Sequence, residues 1–549
     1  MATESGQSSW YGEGEGVSQF RSRVFRFVCL GASLFGLALV GVFLVKVFLD
    51  AIRPLSADAG WHLTFFLTLV APTTGLLGYY WLNDRVAGWN GVVLGAIPLF
   101  GLILGAGLVL VFVQVYSLLT WFGVAIGLAA TAAVFYAHRR FRREASGERN
   151  VVTALAFLAG VVGVPYTGRG FEVMSLAELA NYYLPVLPSD IAIAVLTLVV
   201  PAAAYAGNFV RERHESSRAG LAAAGVVVAV AAGAVALAPT VGVPSWNLVV
   251  LALPVFVPTL LYAESFFRLD EHRSALAFPV VLYGGVLAGA FAVRALDYAG
   301  PNSWLDWQFL TGLPSRFPEQ AGFYPAIVGS VMIMLVIIVG VAPLGVAAAI
   351  YLEEYATHEG ALGAVVKLIE VNIGNLAGVP SVVYGLLALG VFVNTLGMQP
   401  GIVVLGGLAV GLLVLPIVII SSQEAIRAVP DSLRQASYGM GATKWQTVRN
   451  VVLPEALPGI LTGSILAFGR AIGETAPLLM IGVAAAIFRA PGGFFETTSA
   501  MPRQVFAWST KPAAEFRYGV LAAGVVTLLV VLLAMNAAAI VIRNKYQRN

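Results

Sequence analysis

About fourteen apolar runs, each long enough to cross a bilayer as a helix, recur along this chain. They fall near residues 27–49, 63–82, 91–113, 117–137, 151–167, 190–209, 219–239, 247–263, 276–296, 323–350, 371–395, 401–420, 460–483 and 518–542. A hydrocarbon layer about 30 Å thick takes roughly 20 apolar residues per crossing, and helices satisfy their own backbone there. With 59% hydrophobic and 11% charged residues, against about a quarter charged in soluble domains, the sequence specifies an all-α polytopic membrane protein. The short, glycine-rich run at 151–167 is the weakest of the set.

Basic residues orient these helices. If the N-terminus is cytoplasmic, internal segments hold 22 Lys and Arg and external ones seven, as the positive-inside rule requires. The protein is therefore expected in the cytoplasmic membrane, multi-pass, with both termini and residues 421–460 inside. Residues 1–26 form a polar tail, and Phe27 to Leu49 is longer than a signal-peptide core, so it reads as a retained first span. The single cysteine, Cys29, excludes an intrachain disulfide, and a net charge of +3 gives no argument for nucleic acid. No G-x-x-x-x-G-K-[ST] motif is present, so no ATP site is expected in this chain. His62, His138, His214, His272 and His358 lack metal-ligand spacing, and no nucleophile–base pattern emerges.

Two segments carry chemistry. On the cytoplasmic side, Leu433, Ala436 and Met440 recur at helical spacing after Pro430, and Gly441 ends that helix. Thr443 and Gln446 form a capping box that starts a second short helix through Trp445, Val448 and Val451 to Pro454. Two short amphipathic helices joined at a glycine can fit a partner's groove, or can rest on lipid headgroups. The second segment is the span starting near Ile460, in which Arg470 and Glu474 share one face. A charge within a span costs roughly 2.5–3.5 kcal/mol on insertion scales, so the pair either pins the bundle or serves a path. Guanidinium presents planar donors that suit phosphate oxygens.

The order Gln435-Ala436-Ser437, Gly441-Ala442-Thr443, then Leu453-Pro454 resembles the EAA loop by which ABC importer permeases dock on their ATPase. Glu and Ala of that pattern are replaced by Gln435 and Ser437. GVAAAIYLEEYA at 345–356, VNIGNLAGVPSVVYGL at 371–386, GATKWQTVRNVVLPEALPGILTG at 441–463 and GRAIGETAPLL at 469–479 are similar to the PstA family of phosphate-specific importers. The resemblance covers about 276–549 and the first span. It implies an ABC importer type I permease core over 276–549, with 421–460 as the coupling segment, and an insertion of about eight spans over 50–275. It further implies a PstC-like partner permease, a PstB-like ATPase dimer that uses the ATP, and a PstS-like phosphate-binding protein. No cofactor is expected in the chain itself.

The resemblance places Arg470 and Glu474 at charged positions tied to phosphate translocation, with Arg470 meeting the anion and Glu474 holding or competing for Arg470. A second arginine is expected from the partner permease. Two other readings stand beside this one: a permease for another oxyanion such as molybdate or sulfate, or a membrane enzyme with its site in 50–275. Glu353 and Glu354 read as solvated charge at a span end, and Asn372 and Asn375, in a Gly/Pro-broken span, as groups that either line a path or hydrogen-bond between helices. Lys46 is expected to snorkel, and the long segments 297–322 and 484–517 to fold outside.

Overall fold

A computed structural model of the chain describes residues 19–114, 118–141, 195–241, 243–269, 273–357 and 359–547, with short pieces between 152 and 176. Eleven helices among the described residues are long and apolar enough to span a membrane. The expected fourteen are therefore not all recovered. Leu118–Phe141 and Val200–His214 form helices outside that set. In the run at 151–167, much of which lies outside the described residues, Val164–Thr167 pairs with Phe171–Val173 as a small antiparallel hairpin. Its β-branched and aromatic residues favour that extended form over a helix.

In chain order the principal helices are α1 (Gln19–Ile52), α2 (Ala59–Asn83), α3 (Arg85–Gln114), α4 (Leu118–Phe141), α5 (Val200–His214), α6 (Ser217–Val241), α7 (Ser245–Leu269) and α8 (Ala277–Ala295). There follow α9 (Tyr324–Tyr355), α10 (Gly360–Ala377), α11 (Ser381–Thr395) and α12 (Val403–Arg427). The last are α13 (Asp431–Gly439), α14 (Lys444–Ile472), α15 (Ala476–Met480), α16 (Met501–Ser509) and α17 (Leu521–Gln547).

The permease portion is organised around α12, whose apolar window is 67% buried, against 0% for α1. Leu405, Val410, Leu413 and Val414 of α12 join Met332 and Ile337 of α9 in the largest buried cluster. α1 lies along α17 with most of its surface left for lipid.

Helices α2, α3 and α5–α8 pack around two small cores of their own. Ala203, Val227, Val249 and Leu253 make a small core among α5, α6 and α7. A second core joins Tyr80 of α2, Leu94 of α3, Phe266 of α7 and Phe278 of α8. Although the sequence assigns α8 to the permease core, its Tyr283 hydroxyl donates to Gly95 O of α3 at 2.6 Å. Tyr80 likewise donates to Ser274 O, just ahead of α8. Through α3, this unit leans on α9 and α17.

The expected span at 371–395 is two helices. Pro380 lacks a backbone N–H and disfavours helix at Val379, so α10 stops at Ala377 and α11 restarts at Ser381. Tyr384 of α11 donates its hydroxyl to Leu376 O, satisfying one carbonyl exposed by the break.

Candidate functional site: the coupling segment and the charged pair

The knob at 431–452 forms as the residues dictate. Pro430 and the acidic Asp431 start α13, and Gly441, at φ 82°, makes the left-handed turn that a side chain would resist. Both halves of the Thr443–Gln446 capping box are in place. The two helices are sewn together by Ser437 and Thr447, whose hydroxyl oxygens lie 2.9 Å apart and buried. Leu433, Gln435, Ala436, Tyr438 and Trp445 are exposed, and Met440 is 83% exposed at the tip. Of the residues expected to couple, Gln435, Ala436, Gly441, Thr443 and Pro454 lie on the surface, whereas Ala442 and Leu453 are half-buried. Ser437 faces inward; its hydroxyl is internal stitching.

The second short helix does not stop at Pro454. It continues without interruption as α14, from Lys444 to Ile472. A wide π-turn at Val448–Val452 precedes Pro454, so the missing N–H falls where the helical ladder is already shifted. At 1.5 Å per residue, this rod of about 43 Å joins the knob to Arg470.

Arg470 occupies the last turn of α14, where the helix dipole favours a cation. Its Nε lies 3.2 Å from Glu474 Oε1; the two side chains are 48% and 18% exposed. The expected span to 483 instead ends at Ile472. Gly473 N and Glu474 N close short turns onto Arg470 O and Ala471 O, and α15 follows. The restarted helix α11 packs directly on α15: a Cβ at Gly385 would lie 2.7 Å from Met480 Cβ and 2.8 Å from Pro477 Cα. The helices that follow the two interruptions therefore pack on each other, and Tyr384 of α11 lies within electrostatic reach of Arg470. Next to Gly469 of α14, the buried Asn536 Oδ1 of α17 has no hydrogen-bond partner among the described residues. Asn372 is exposed and donates to Leu368 O of its own helix.

Glu353 and Glu354 depart most from the sequence reading. They end α9 on a π-turn, and Glu354 is buried. Glu353 receives Arg427 through Nε at 2.8 Å and Nη2 at 2.6 Å, and Gln423 Nε2 at 2.8 Å. Glu354 receives Arg434 of α13 at 3.1 Å. The signal that could have found them is a pair of consecutive carboxylates at a span end, with arginines at a neighbouring span end and in the coupling segment. Lys46, expected to snorkel, is held by Asp50 at 3.0 Å.

At the end of the helices opposite the knob, residues 484–517 form a layer bonded to 297–322 and to the starts of α9 and α12. Met501 N donates to Ser330 Oγ at 2.8 Å, Gln504 Nε2 to Gly322 O at 3.1 Å, and Val404 N to Phe494 O at 2.9 Å. Arg503 in this layer has a buried Nε without a hydrogen-bond partner among the described residues. Burial lowers its guanidinium pKa, though arginine stays cationic at neutral pH. No group of metal-ligating side chains occurs among the described residues.

Residues 360–545 match the family described as binding-protein-dependent transport system inner membrane component. Over 282 residues the chain is 36% identical to the phosphate transport system permease protein PstA 1 of Mycobacterium tuberculosis (strain ATCC 25618 / H37Rv), a match spanning 51% of this chain and 86% of that protein. The chain belongs to this permease family. The permease is also 34% identical over 285 residues to PstA of Yersinia pestis, spanning 51% of this chain and 92% of the other. It is 34% identical over 199 residues to the probable ABC transporter permease YqgI of Bacillus subtilis (strain 168), spanning 36% and 65%. Membership makes it a multi-pass membrane permease of an ABC importer, working with an ATPase and a substrate-binding protein. It is longer than its PstA relatives, consistent with an insertion.

Proposed function

We propose that this permease passes phosphate along the face that carries Arg470, driven by an ATPase that docks on the 431–452 knob. The observation that carries this reading is α14, one helix with the knob at its start and the only arginine of its membrane portion at its end. Arg470 offers planar donors to phosphate oxygens, and Glu474 holds the guanidinium when the anion is absent. Helices α10, α11 and α14 leave apolar side chains uncovered: Leu368, Val371, Val383, Leu387 and Leu466 are exposed. A PstC-like permease covers that face and adds a second cation to the path. A PstB-like ATPase dimer meets the exposed Gln435, Ala436, Met440 and Trp445, and a PstS-like protein delivers phosphate to the outer layer. Both termini lie on the ATPase side. By packing, the insertion runs from α2 through α8 and flanks the transport path.

The test is reconstitution of the chain with these three partners in vesicles. Phosphate-loaded binding protein should stimulate ATP hydrolysis and phosphate uptake together. Stimulation by molybdate or sulfate in place of phosphate would reassign the substrate, and failure of this chain to capture the ATPase would remove the coupling role.

A further inference from the structure

The tip of α9 gathers parts of four other helices, and sequence resemblance gives it no role. Arg434 of the coupling helix α13 uses its whole guanidinium there. Its Nη2 donates to Glu354 Oε1 at 3.1 Å and to Ile426 O at 2.8 Å, while its Nη1 donates to Val429 O at 2.5 Å and to Asp431 Oδ1 at 3.1 Å. The side chains of Arg434 and Glu354 are 16% and 8% exposed. Beside them Arg427, at the end of α12, grips Glu353 with two nitrogens and approaches Glu370 of α10 at 3.9 Å. Lys444, at the start of α14, lies 5.3 Å from the ring of Tyr355.

We propose that the Arg434–Glu354 pair, backed by Arg427–Glu353, is the clamp that transmits movement of the coupling helix to α9 and α12. Three physical features support this. First, consecutive residues on a helix point in different directions, and here the adjacent carboxylates take different partners: Glu353 holds α12, and Glu354 holds α13. Second, Arg434 also binds Ile426 O at the end of α12 and Val429 O just beyond it, so one planar group ties three chain segments and no single segment can shift without breaking charged hydrogen bonds. Third, the pair is shielded from water, so its attraction is little screened. From this clamp α9 runs the length of α12 to Ser330, which receives Met501 N in the outer layer. The coupling helix therefore has two mechanical routes: α14 to Arg470, and the clamp through α9 to the outer layer. Arg434, Glu354, Arg427 and Glu353 are positioning residues, since they act through the helices they join.

This inference rests on residues 431–452 facing the ATPase, and the experiment separates the two. The complete importer is reconstituted in vesicles, and phosphate uptake and ATP hydrolysis are measured in the same preparation. Arg434→Met and Glu354→Gln are each expected to keep ATPase capture and hydrolysis while uptake per ATP falls about tenfold or more, as when one partner of a shielded charge pair is removed. The exchanged variant, Glu354→Arg with Arg434→Glu, should recover part of that ratio, which a purely structural role would not predict. Unchanged uptake per ATP in assembled single variants would overturn the clamp. So would proportional loss of hydrolysis and uptake with no recovery in the exchanged variant. Failure of the unaltered chain to capture the ATPase would instead overturn the docking assignment.

Discussion

Asp58 and Ala299, 241 residues apart, are joined by two hydrogen bonds: Asp58 N donates to Ala299 O at 3.0 Å, and Ala299 N donates to Asp58 Oδ2 at 2.7 Å. The contact is part of a neck. Asn302 N donates to Ser56 Oγ at 2.8 Å, Trp304 N to Ala51 O at 2.9 Å, and Arg53 sits over the Trp304 ring at 4.9 Å. The chain leaves the end of α1, makes the excursion through α2 to α8, and returns to its starting point. An insertion whose ends touch can be added to a loop without moving the helices on either side.

It follows that the excursion is removable. A chain in which Asp58 is joined to Ala299 through two glycines should insert, assemble with its partners and keep most of its phosphate uptake. The neck bonds from Ser56 and Ala51 remain, as do α9 to α17. Radiolabelled phosphate uptake by the reconstituted deletion checks this. An assembled complex that no longer transports would give α2–α8 a part in translocation.

Arg470→Gln should leave membrane insertion and subunit capture intact, because the Arg470 side chain is half-exposed and, among the described residues, hydrogen-bonds only to Glu474. Uptake should fall about 100-fold or more, the scale on which losing one preorganised donor to a charged group acts. Glu474→Gln frees the guanidinium and should tighten anion binding while slowing release. Uptake rate and half-saturation, measured together, distinguish the two substitutions. Near-normal uptake by Arg470→Gln would dismiss Arg470 from the path.

What the sequence disclosed depended on whether the signal was local. The capping box at Thr443 and Gln446 and the turn at Gly441 are short-range chemistry, and they appear as read. Arg470 and Glu474 do touch, but Glu474 reaches Arg470 from the turn beyond the helix end at Ile472, not from a shared helical face. Pro454 misled because a π-turn beforehand lets a helix run through it, and such a turn leaves no simple compositional mark. Glu353 and Glu354 read as solvated because their partners, Arg427 and Arg434, lie 74 and 80 residues away. The position of α8 was hidden because lipid and protein neighbours select the same apolar residues, so hydropathy does not say which helices touch.

Ser437 stands where the family pattern has alanine, and Thr447 explains it: the two hydroxyls pair in the buried seam of the knob. Ser437→Ala leaves the Thr447 hydroxyl without its partner, at a cost of about 1–3 kcal/mol confined to the knob. Ser437→Ala with Thr447→Val removes both groups and should recover part of that loss. Amide exchange across 431–452 measures the difference. Equal exchange in all three proteins would mean the bond contributes nothing to the seam.

Gly441 sets the angle between α13 and α14 from the left-handed region, with no atom crowding its Cβ position. Substitution there is opposed by backbone strain and not by packing. Gly441→Val should cost about 1–3 kcal/mol in that conformation, while Gly441→Asn, which tolerates positive φ, should cost much less. Because the strain relaxes by rotating the exposed Gln435–Met440 helix relative to Trp445, Gly441→Val should lose the ATPase in pull-down and Gly441→Asn should retain it. Equal capture by both variants would show that the knob's shape does not depend on this turn, and that the ATPase is held elsewhere on the cytoplasmic face.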